Sequence, residues 1–328
     1  PLLPVIYETA HRSGIRPERP MAVATIASQQ AITASPVAAA TAAMIGLFAE
    51  KGMTQWGLPQ ILMVCVPATL TGVVAAAIVS MFVGKDLKDD PEYQARLAAG
   101  QIPAPQADTS RTPLKPGARL SAFIFLAGVA LVVLFGFFPS LRQLPGAKSP
   151  LAMPIVIEIL MMSVAAIMLL LTKVPVDEVP KTATLRAGVV AVIGIFGLAW
   201  LGDSFIAANK DVIVPAIGDW AKVAPWTFAF GLFLASVLLY SQAATTRALM
   251  PLGIALGIPP QFLIAMFPSV NGYFFIPTYG SLIAAINFDL SGTTKIGKYV
   301  LNHSFMIPGL VATSVAVFTG LAIARVIF

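Results

Sequence analysis

The chain has 328 residues, of which 57% are hydrophobic and only 11% are charged. In an average soluble domain about 25% of the residues are charged, more than twice the fraction found here. The mean hydropathy of the chain is +0.84. This composition excludes an ordinary soluble domain and predicts an all-α integral membrane protein. The formal net charge of +6 does not indicate a nucleic-acid partner, because the basic residues lie mostly in loops between apolar segments.

Few side chains of the kind that carry enzyme or metal chemistry are present. Cys65 is the single cysteine, and the two histidines, His11 and His303, lie in loops without metal-ligand spacing. The sequence contains no Gly-Lys-Ser/Thr phosphate-binding loop, which argues against a self-contained ATP-driven pump. We therefore predict no enzyme activity, no cofactor and no metal. The sequence opens on Pro1 without a methionine, and we expect it to begin part-way through a larger protein.

Apolar segments of about 20 residues, the length that spans a bilayer, follow one another along the chain. Continuous spans are predicted at 57–83, 119–139, 151–171, 186–207 and 304–327. Interrupted spans are predicted at 21–49, 224–258 and 261–288. The hydrophilic stretch 84–118 carries many charges and then several prolines. It is predicted to be a solvated, flexible connector with one short helix near 90–99.

The first interrupted segment, 21–49, contains a run of polar residues that ends at Pro36. Non-helical backbone at membrane depth is tolerated only where it is buried in protein or lines a cavity. Interrupted segments in the two halves of a membrane protein are the best sequence indication of a transporter's binding site. A broken helix also offers free backbone N–H groups to an anion. The candidate substrate-binding residues in this segment are Ser28, Gln29, Thr33 and Ser35.

Two further polar interruptions lie in the second half of the chain. Segment 224–258 has a length that suits two half-helices joined by a tip inside the membrane, which is a re-entrant hairpin. Segment 261–288 is predicted to be a second broken helix. Arg247 adds a cation at membrane depth, where a charge is by default functional, and it could pair with a substrate carboxylate. The candidate substrate-binding residues here are Ser241, Gln242, Thr245, Thr246, Arg247, Asn271 and Thr278.

The order hairpin, basic loop and broken helix occurs twice if the apolar residues 1–7 end an earlier hairpin. With the basic loop after them in the cytoplasm and 224–258 re-entrant, most lysines and arginines fall on the cytoplasmic side, as the positive-inside rule requires. The two hairpins then enter from opposite sides, which predicts an inverted repeat. We predict that 1–83 end the first repeat, that 84–118 link the halves, and that 119–328 form the second repeat with the scaffold spans.

Other interpretations of these residues stay open. Small polar side chains such as Ser28 and Thr245 also pack helices and satisfy backbone groups. Arg247 could extend its charge to the membrane surface from a tip near the interface. The alternative function, cation/proton antiport, needs carboxylates in the membrane, but the breaks hold none and Glu158 is the sole candidate. A membrane enzyme is disfavoured because Ser28 and Ser241 have no histidine within a span.

Several short motifs, spread along the whole chain, are specific enough to be compared with known families. They are Leu3-Pro4-Val5-Ile6-Tyr7-Glu8, Ala31-Ile32-Thr33-Ala34-Ser35-Pro36, Ala199-Trp200-Leu201-Gly202-Asp203, Leu239-Tyr240-Ser241-Gln242-Ala243-Ala244-Thr245, Pro277-Thr278-Tyr279 and Gly292-Thr293-Thr294-Lys295-Ile296-Gly297-Lys298. In these motifs the chain resembles the Dcu family, the anaerobic four-carbon dicarboxylate transporters of bacteria. Members of that family carry further residues at the N-terminus, including a hairpin tip.

The resemblance implies a function, a location and partners. It implies exchange or uptake of fumarate, malate, succinate and aspartate across the bacterial inner membrane without ATP. It also implies kinship with the elevator-type ion-transporter superfamily, in which paired hairpins and broken helices form a domain that moves against a scaffold. The expected partners are the C4-dicarboxylate substrate and the lipid bilayer. Two protein partners follow from the resemblance alone, namely a second copy of the chain in a homodimer and a sensor kinase.

Overall fold

The computed structural model describes residues 2–102, 117–146, 150–172, 174–181, 204, 208 and 224–328. Regular secondary structure in these ranges is helical, apart from one isolated β-bridge between Ile296 and His303. The predicted all-α class is therefore confirmed. The α-helices are α1 (Leu3–Arg12), α2 (Glu18–Gln30), α3 (Ala39–Glu50), α4 (Leu58–Ser80), α5 (Pro91–Ala98), α6 (Ala118–Phe137), α7 (Met153–Thr172), α8 (Phe228–Leu239), α9 (Gln242–Ala255), α10 (Pro260–Met266), α11 (Gly280–Phe288) and α12 (Met306–Ile327).

Among the described residues, 4 helices are long and apolar enough to cross a membrane, namely α4, α6, α7 and α12. They confirm the spans predicted at 57–83, 119–139, 151–171 and 304–327. The span predicted at 186–207 lies almost entirely outside the described residues.

The spans α4 and α12 pack closely against each other. A Cβ atom on Gly72 would lie only 2.3 Å from the carbonyl oxygen of Ala312. A side chain at that position would push the two backbones apart, so a glycine is needed for this approach. Small residues at helix contacts are the usual means by which spans associate in lipid, where no hydrophobic force drives them together.

Both predicted helix breaks are present. α2 ends at Gln30 and α3 begins at Ala39, so the break predicted between Thr33 and Pro36 is confirmed. In the second half, α10 is followed by a 3₁₀ helix at Phe267–Phe274, and α11 begins at Gly280. Asn271 interrupts this stretch with non-helical backbone angles, φ −95° and ψ 22°. The break predicted from Asn271 to Thr278 is therefore confirmed.

The interrupted segment 224–258 forms a helical hairpin. α8 and α9 are joined at Tyr240, whose φ of 52° lies in the left-handed region, and the Ser241 side chain accepts a hydrogen bond from the Ala244 N–H, 3.2 Å away. The helices run antiparallel, because a Cβ atom on Gly253 near the end of α9 would meet the ring of Phe228 at the start of α8, 2.8 Å away. α8 has 12 residues, which makes it about 18 Å long, well short of the roughly 30 Å hydrocarbon core.

The connector 84–118 differs from its prediction in one respect. The short helix predicted near 90–99 is confirmed as α5. The prediction of a solvated, flexible connector is wrong for residues 84–102. Tyr93 is buried, and its hydroxyl lies 2.8 Å from the His11 Nε2 atom. Arg96 also donates a hydrogen bond of 3.1 Å to the Ser291 carbonyl oxygen. The charge-rich sequence indicated exposure to solvent. The sequence could not show the packing, because the partners come from distant parts of the chain. Residues 84–102 therefore pack against the end of α1 and against the loops that precede α2 and α12.

Arg16 is the centre of the ion pairs that hold this connector. Its guanidinium contacts Glu18 through Nε at 2.6 Å and Asp90 through Nη1 at 2.5 Å, and its side chain is only 8% exposed. Burial alone would raise the pKa of the Asp90 carboxyl, but the hydrogen bonds from Arg16 and from two backbone N–H groups, together with the Arg16 charge, lower that pKa below its ordinary value. Gly84 has a φ of +66° and passes so close to Arg16 that a Cβ atom would lie 2.5 Å from Nε.

Replacing Arg16 with methionine should destabilise the fold by about 3–5 kcal/mol, because the buried carboxylate of Glu18 and the partly buried one of Asp90 would lose their cation. The measurement is the free energy of unfolding in detergent. The matched control is Arg12→Met, which removes a more exposed ion pair with Glu8 and should cost only about 0–1 kcal/mol. Equal losses in the two variants would contradict the structural role of the Arg16 pairs.

Candidate functional site

The hairpin tip and both helix breaks meet at three buried amide side chains, which we name the amide junction: Gln30, Gln242 and Asn271. Asn271 donates through Nδ2 to Gln30 Oε1, 3.1 Å away. Gln242, the first residue of α9, donates through Nε2 to Asn271 Oδ1, 3.2 Å away. One hydrogen-bonded chain therefore connects the end of α2, the second break and the hairpin tip.

Further side chains complete the hydrogen bonding of the amide junction. Gln30 donates through Nε2 to the Thr313 hydroxyl on α12, 2.7 Å away. Asn271 Nδ2 also donates to the Pro268 carbonyl oxygen at 3.0 Å, and Gln242 donates to the Tyr273 hydroxyl. Buried amides are costly unless they are paired, and paired networks fix one arrangement of the surrounding elements. The amide junction therefore sets the relative positions of the hairpin and the two breaks.

Sequence reasoning did not include Gln30, Tyr273 or Thr313 among the candidate residues. Gln30 was visible as a second amide beside Gln29 within an apolar span, and that pattern was sufficient to flag it. Thr313 lies in α12, a span whose sequence has no interruption, and Tyr273 lies among other aromatic residues. The sequence carries no local signal for these two, because their role depends on partners from other elements.

Gln29 lies beside the amide junction and contacts the start of α11. Its Nε2 atom donates to the Ser281 hydroxyl at 3.4 Å, which is a long hydrogen bond. The Oε1 atom is buried and has no hydrogen-bond partner among the described residues. A buried acceptor without a partner costs about 1–3 kcal/mol, so this atom is available to a donor from outside the described residues.

Tyr240 connects the hairpin tip to the second break. Its hydroxyl lies 2.8 Å from the Thr278 hydroxyl, and its ring is nearly parallel to that of Tyr279, with the centroids 6.4 Å apart. Tyr279 in turn contacts the ring of Tyr273, with the centroids 4.4 Å apart. A left-handed φ is unusual for a tyrosine and costs about 1–3 kcal/mol, and such outliers cluster at ligand clamps and switch regions. The contact between Tyr240 and Thr278 therefore holds the hairpin tip against the second break.

Several of the predicted serine and threonine side chains form hydrogen bonds with the backbone of their own segment. The hydroxyls of Thr33, Thr245 and Thr246 are buried and donate to backbone carbonyl oxygens three or four residues earlier. Ser28 donates to the Thr25 carbonyl oxygen while its residue is exposed, and Ser35 is partly buried. Such bonds satisfy the backbone where helices begin or end. The structure thus brings Gln242 and Asn271 into the junction, whereas Ser28 and the three threonines bond to nearby backbone oxygens instead.

The charged candidates lie apart from the buried amides. Arg247 is exposed on α9, and among the described residues it has no hydrogen-bond or ion-pair partner. Glu158 is exposed on α7 and contributes nothing to the amide junction. The junction itself is built from neutral donors and acceptors. The first break is followed by the N-terminus of α3, the second break by that of α11, and the hairpin tip by that of α9. Free backbone N–H groups at a helix N-terminus favour an anion.

Comparison with known proteins identifies the group to which this sequence is related. The family described as anaerobic C4-dicarboxylate membrane transporter matches residues 1–328. The chain belongs to this family. It is a C4-dicarboxylate transporter, a multi-pass protein of the bacterial inner membrane and not an enzyme, and the Dcu resemblance is confirmed.

Individual relatives agree with this assignment. The C4-dicarboxylate transporter DcuA of Escherichia coli K12 is 40% identical over 319 residues, which cover 97% of this chain and 72% of the relative. DcuA of Wolinella succinogenes is 38% identical, with coverage of 99% and 74%. The anaerobic C4-dicarboxylate transporter DcuB of Escherichia coli O6:H1 is 36% identical, with coverage of 96% and 72%. No solved structure matches this chain.

Proposed function

We propose that the protein is a secondary transporter that exchanges or takes up fumarate, malate, succinate and aspartate by alternating access. The observation that carries the proposal is the amide junction, which unites the hairpin tip and both breaks through Gln30, Gln242 and Asn271. In secondary transporters, discontinuous helices form the site near the midplane of the membrane. We infer that the substrate binds next to this junction.

The chemistry around the junction suits a dianion that must be released in every cycle. Neutral donors and helix N-termini attract a carboxylate without the tight grip of a dense arginine cluster. Arg247 supplies a single cation on the hairpin, and its side chain is exposed and able to contact a ligand. In this proposal Ser28, Gln29, Thr33, Ser35, Ser241, Thr245, Thr246 and Thr278 line or support the site.

The proposed cycle uses motion of the hairpin and the broken helices against the scaffold spans. Contacts such as Tyr240 with Thr278 would break and re-form as the tip opens. The inverted repeats, of which 1–83 end the first and 119–328 contain the second with the scaffold spans, remain part of the proposal. They would give the inward and outward states similar energies. A homodimer and a sensor-kinase partner stay predictions of the resemblance.

Cation/proton antiport, the alternative, finds less support in the geometry. Such a transporter needs a carboxylate at the break, whereas Glu158 is exposed on α7. None of the residues of the amide junction is acidic. A carboxylate of the substrate, in contrast, fits the neutral donors.

The test is counterflow in proteoliposomes that are loaded with unlabelled succinate and given labelled succinate outside. We expect rapid accumulation of label that unlabelled fumarate, malate or aspartate inside the vesicles also supports. Imposed Na⁺ or H⁺ gradients then distinguish uptake from exchange. Labelled succinate that enters no faster than it enters protein-free vesicles would contradict the proposal, and cation-driven proton flux without succinate would favour the antiporter.

A further inference from the structure

A cavity that is separate from the amide junction opens where α3 ends and α4 begins. Its volume is about 680 Å³, and none of the three junction residues lines it. The walls come from the end of α3, the start of α4, the end of α6 and residues 150–153. Its polar side chains are Thr54, Gln55, Gln60 and Arg142, and its apolar ones include Trp56 and Phe137. The cavity is therefore large, and it offers both polar and apolar contacts.

Arg142 provides the cavity with a cation that has no counter-charge among the residues that the structure describes. Its Nε atom donates to the Phe135 carbonyl oxygen at 2.9 Å, and Nη1 donates to the Leu151 carbonyl oxygen at 2.6 Å. Nη2 bonds to no described residue, and no described residue that lines the cavity is Asp or Glu. Partial burial lowers the pKa of Arg142, because the charged form loses hydration. A partly desolvated cation that is held only by neutral carbonyl oxygens is stabilised by an added anion.

The start of α4 adds to the attraction for an anion. Leu58, Pro59 and Gln60, the first residues of this 23-residue helix, line the same cavity. The positive end of a helix dipole attracts negative charge within the first turn. The Gln60 Oε1 atom already accepts from the Gly57 N–H at 3.0 Å, so its amide group leaves its NH₂ end for another acceptor.

We propose that this cavity binds an anionic group, either a carboxylate or a phosphate, at the Arg142 guanidinium. Two sources share this chemistry: a dicarboxylate that arrives from solution, and the phosphate of a membrane lipid whose apolar part lies against Trp56 and Phe137. The distribution of lysine and arginine predicts that this face is the outer one. This anion site is additional to the proposed transport site at the amide junction. Its existence does not depend on that proposal, because the two sites share no residue.

Trp56 serves as the reporter because it lines the cavity. In the full chain, Trp200, Trp220 and Trp226 are replaced with phenylalanine, and Trp56 fluorescence is titrated with succinate, inorganic phosphate or dihexanoyl phosphatidylglycerol at constant ionic strength. We expect a saturable change with at least one of these probes. A response to succinate assigns a carboxylate, a response to inorganic phosphate assigns a phosphate, and a response to phosphatidylglycerol alone assigns the lipid.

Two substitutions at Ala49 test the charge without touching the hydrogen bonds of Arg142. Ala49 is an exposed residue near the end of α3 that lines the cavity. Ala49→Glu adds a carboxylate to the cavity that Arg142 lines and should weaken anion binding at least tenfold, whereas Ala49→Gln, of the same size but neutral, should leave it unchanged. Equal affinity in the two variants, or the lack of a saturable response to every probe, overturns the proposal.

Arg142→Gln is the direct variant, and it should also weaken binding at least tenfold if it folds. The matched control is Lys51→Gln, which removes an exposed cation at the end of α3 that does not line the cavity. We expect Lys51→Gln to bind the probe as the parent chain does. Weakening by Lys51→Gln as large as that by Arg142→Gln would show that only the general charge of this face matters, and it would overturn the assignment to Arg142.

Discussion

Replacing Asn271 with alanine should reduce succinate counterflow at least tenfold. The variant leaves the Gln30 Oε1 atom without its donor and the Gln242 Nε2 atom without one of its acceptors, and both atoms stay buried. Each buried group that loses its partner costs about 1–3 kcal/mol. The present arrangement of the hairpin and the breaks therefore loses stability relative to other arrangements of the same elements. The measurement is the initial rate of labelled succinate exchange, taken with the melting temperature of the same preparation.

The matched control for this variant is Asn287→Ala, because Asn287 is an exposed residue on α11. It should exchange succinate at the parent rate. Asn271→Asp keeps the size and the acceptor oxygen but loses the donor to Gln30, so it should fall between the parent and the alanine variant if the donor matters. Exchange at the parent rate by folded Asn271→Ala protein would show that the amide junction is not part of the transport site.

A double-mutant cycle separates the network from its single members. Residues that share a hydrogen-bond network show interaction energies of about 0.5–3 kcal/mol, whereas distant sites are nearly additive. Gln242→Ala should therefore cost little further transport or stability once Asn271 is already alanine. Additive losses would mean that the two residues act separately, in spite of their contact of 3.2 Å.

The positions of the breaks could be predicted from sequence because polar residues and prolines are rare in membrane spans. A run such as Ser28 to Pro36 cannot remain a lipid-facing helix, so local composition alone indicates an interruption there. The hairpin followed from the same reasoning, since 224–258 is too long for one span. The identity of the buried contacts did not follow. Gln29 and Gln30 are adjacent and chemically identical, yet only Gln30 forms a hydrogen bond with Asn271.

This difference between Gln29 and Gln30 is set by tertiary structure. Side chains at neighbouring positions on a helix point about 100° apart. Which of the two glutamines reaches Asn271 therefore depends on where residues 271 and 313 lie in the fold. The connector 84–102 illustrates the same limit. Its charges indicated solvent, but Asp90 pairs with Arg16, a residue far away in sequence. Patterns along the chain thus locate breaks and spans, whereas pairings between distant residues require the fold.

Replacing Arg247 with glutamine should weaken succinate binding roughly ten- to a hundredfold, because a charge-assisted contact contributes about 1.5–3 kcal/mol and each factor of ten corresponds to about 1.4 kcal/mol. The fold should be unaffected, since Arg247 is exposed and pairs with no described residue. Arg247→Lys should restore binding only in part, because an ammonium lacks the planar fork that holds a carboxylate by two hydrogen bonds.

Isothermal calorimetry with succinate on folded protein measures this effect, and Arg325→Gln is the matched control, because Arg325 is an exposed arginine in the last turn of α12. The charge should matter more for a dianion than for a monoanion, since the helix N-termini supply only partial charges. The Gln variant should therefore lose more affinity for succinate than for a monocarboxylate such as butyrate. Unchanged succinate affinity in Arg247→Gln and in Arg247→Lys would instead place this side chain at the membrane surface, where its charge reaches water and takes no part in binding.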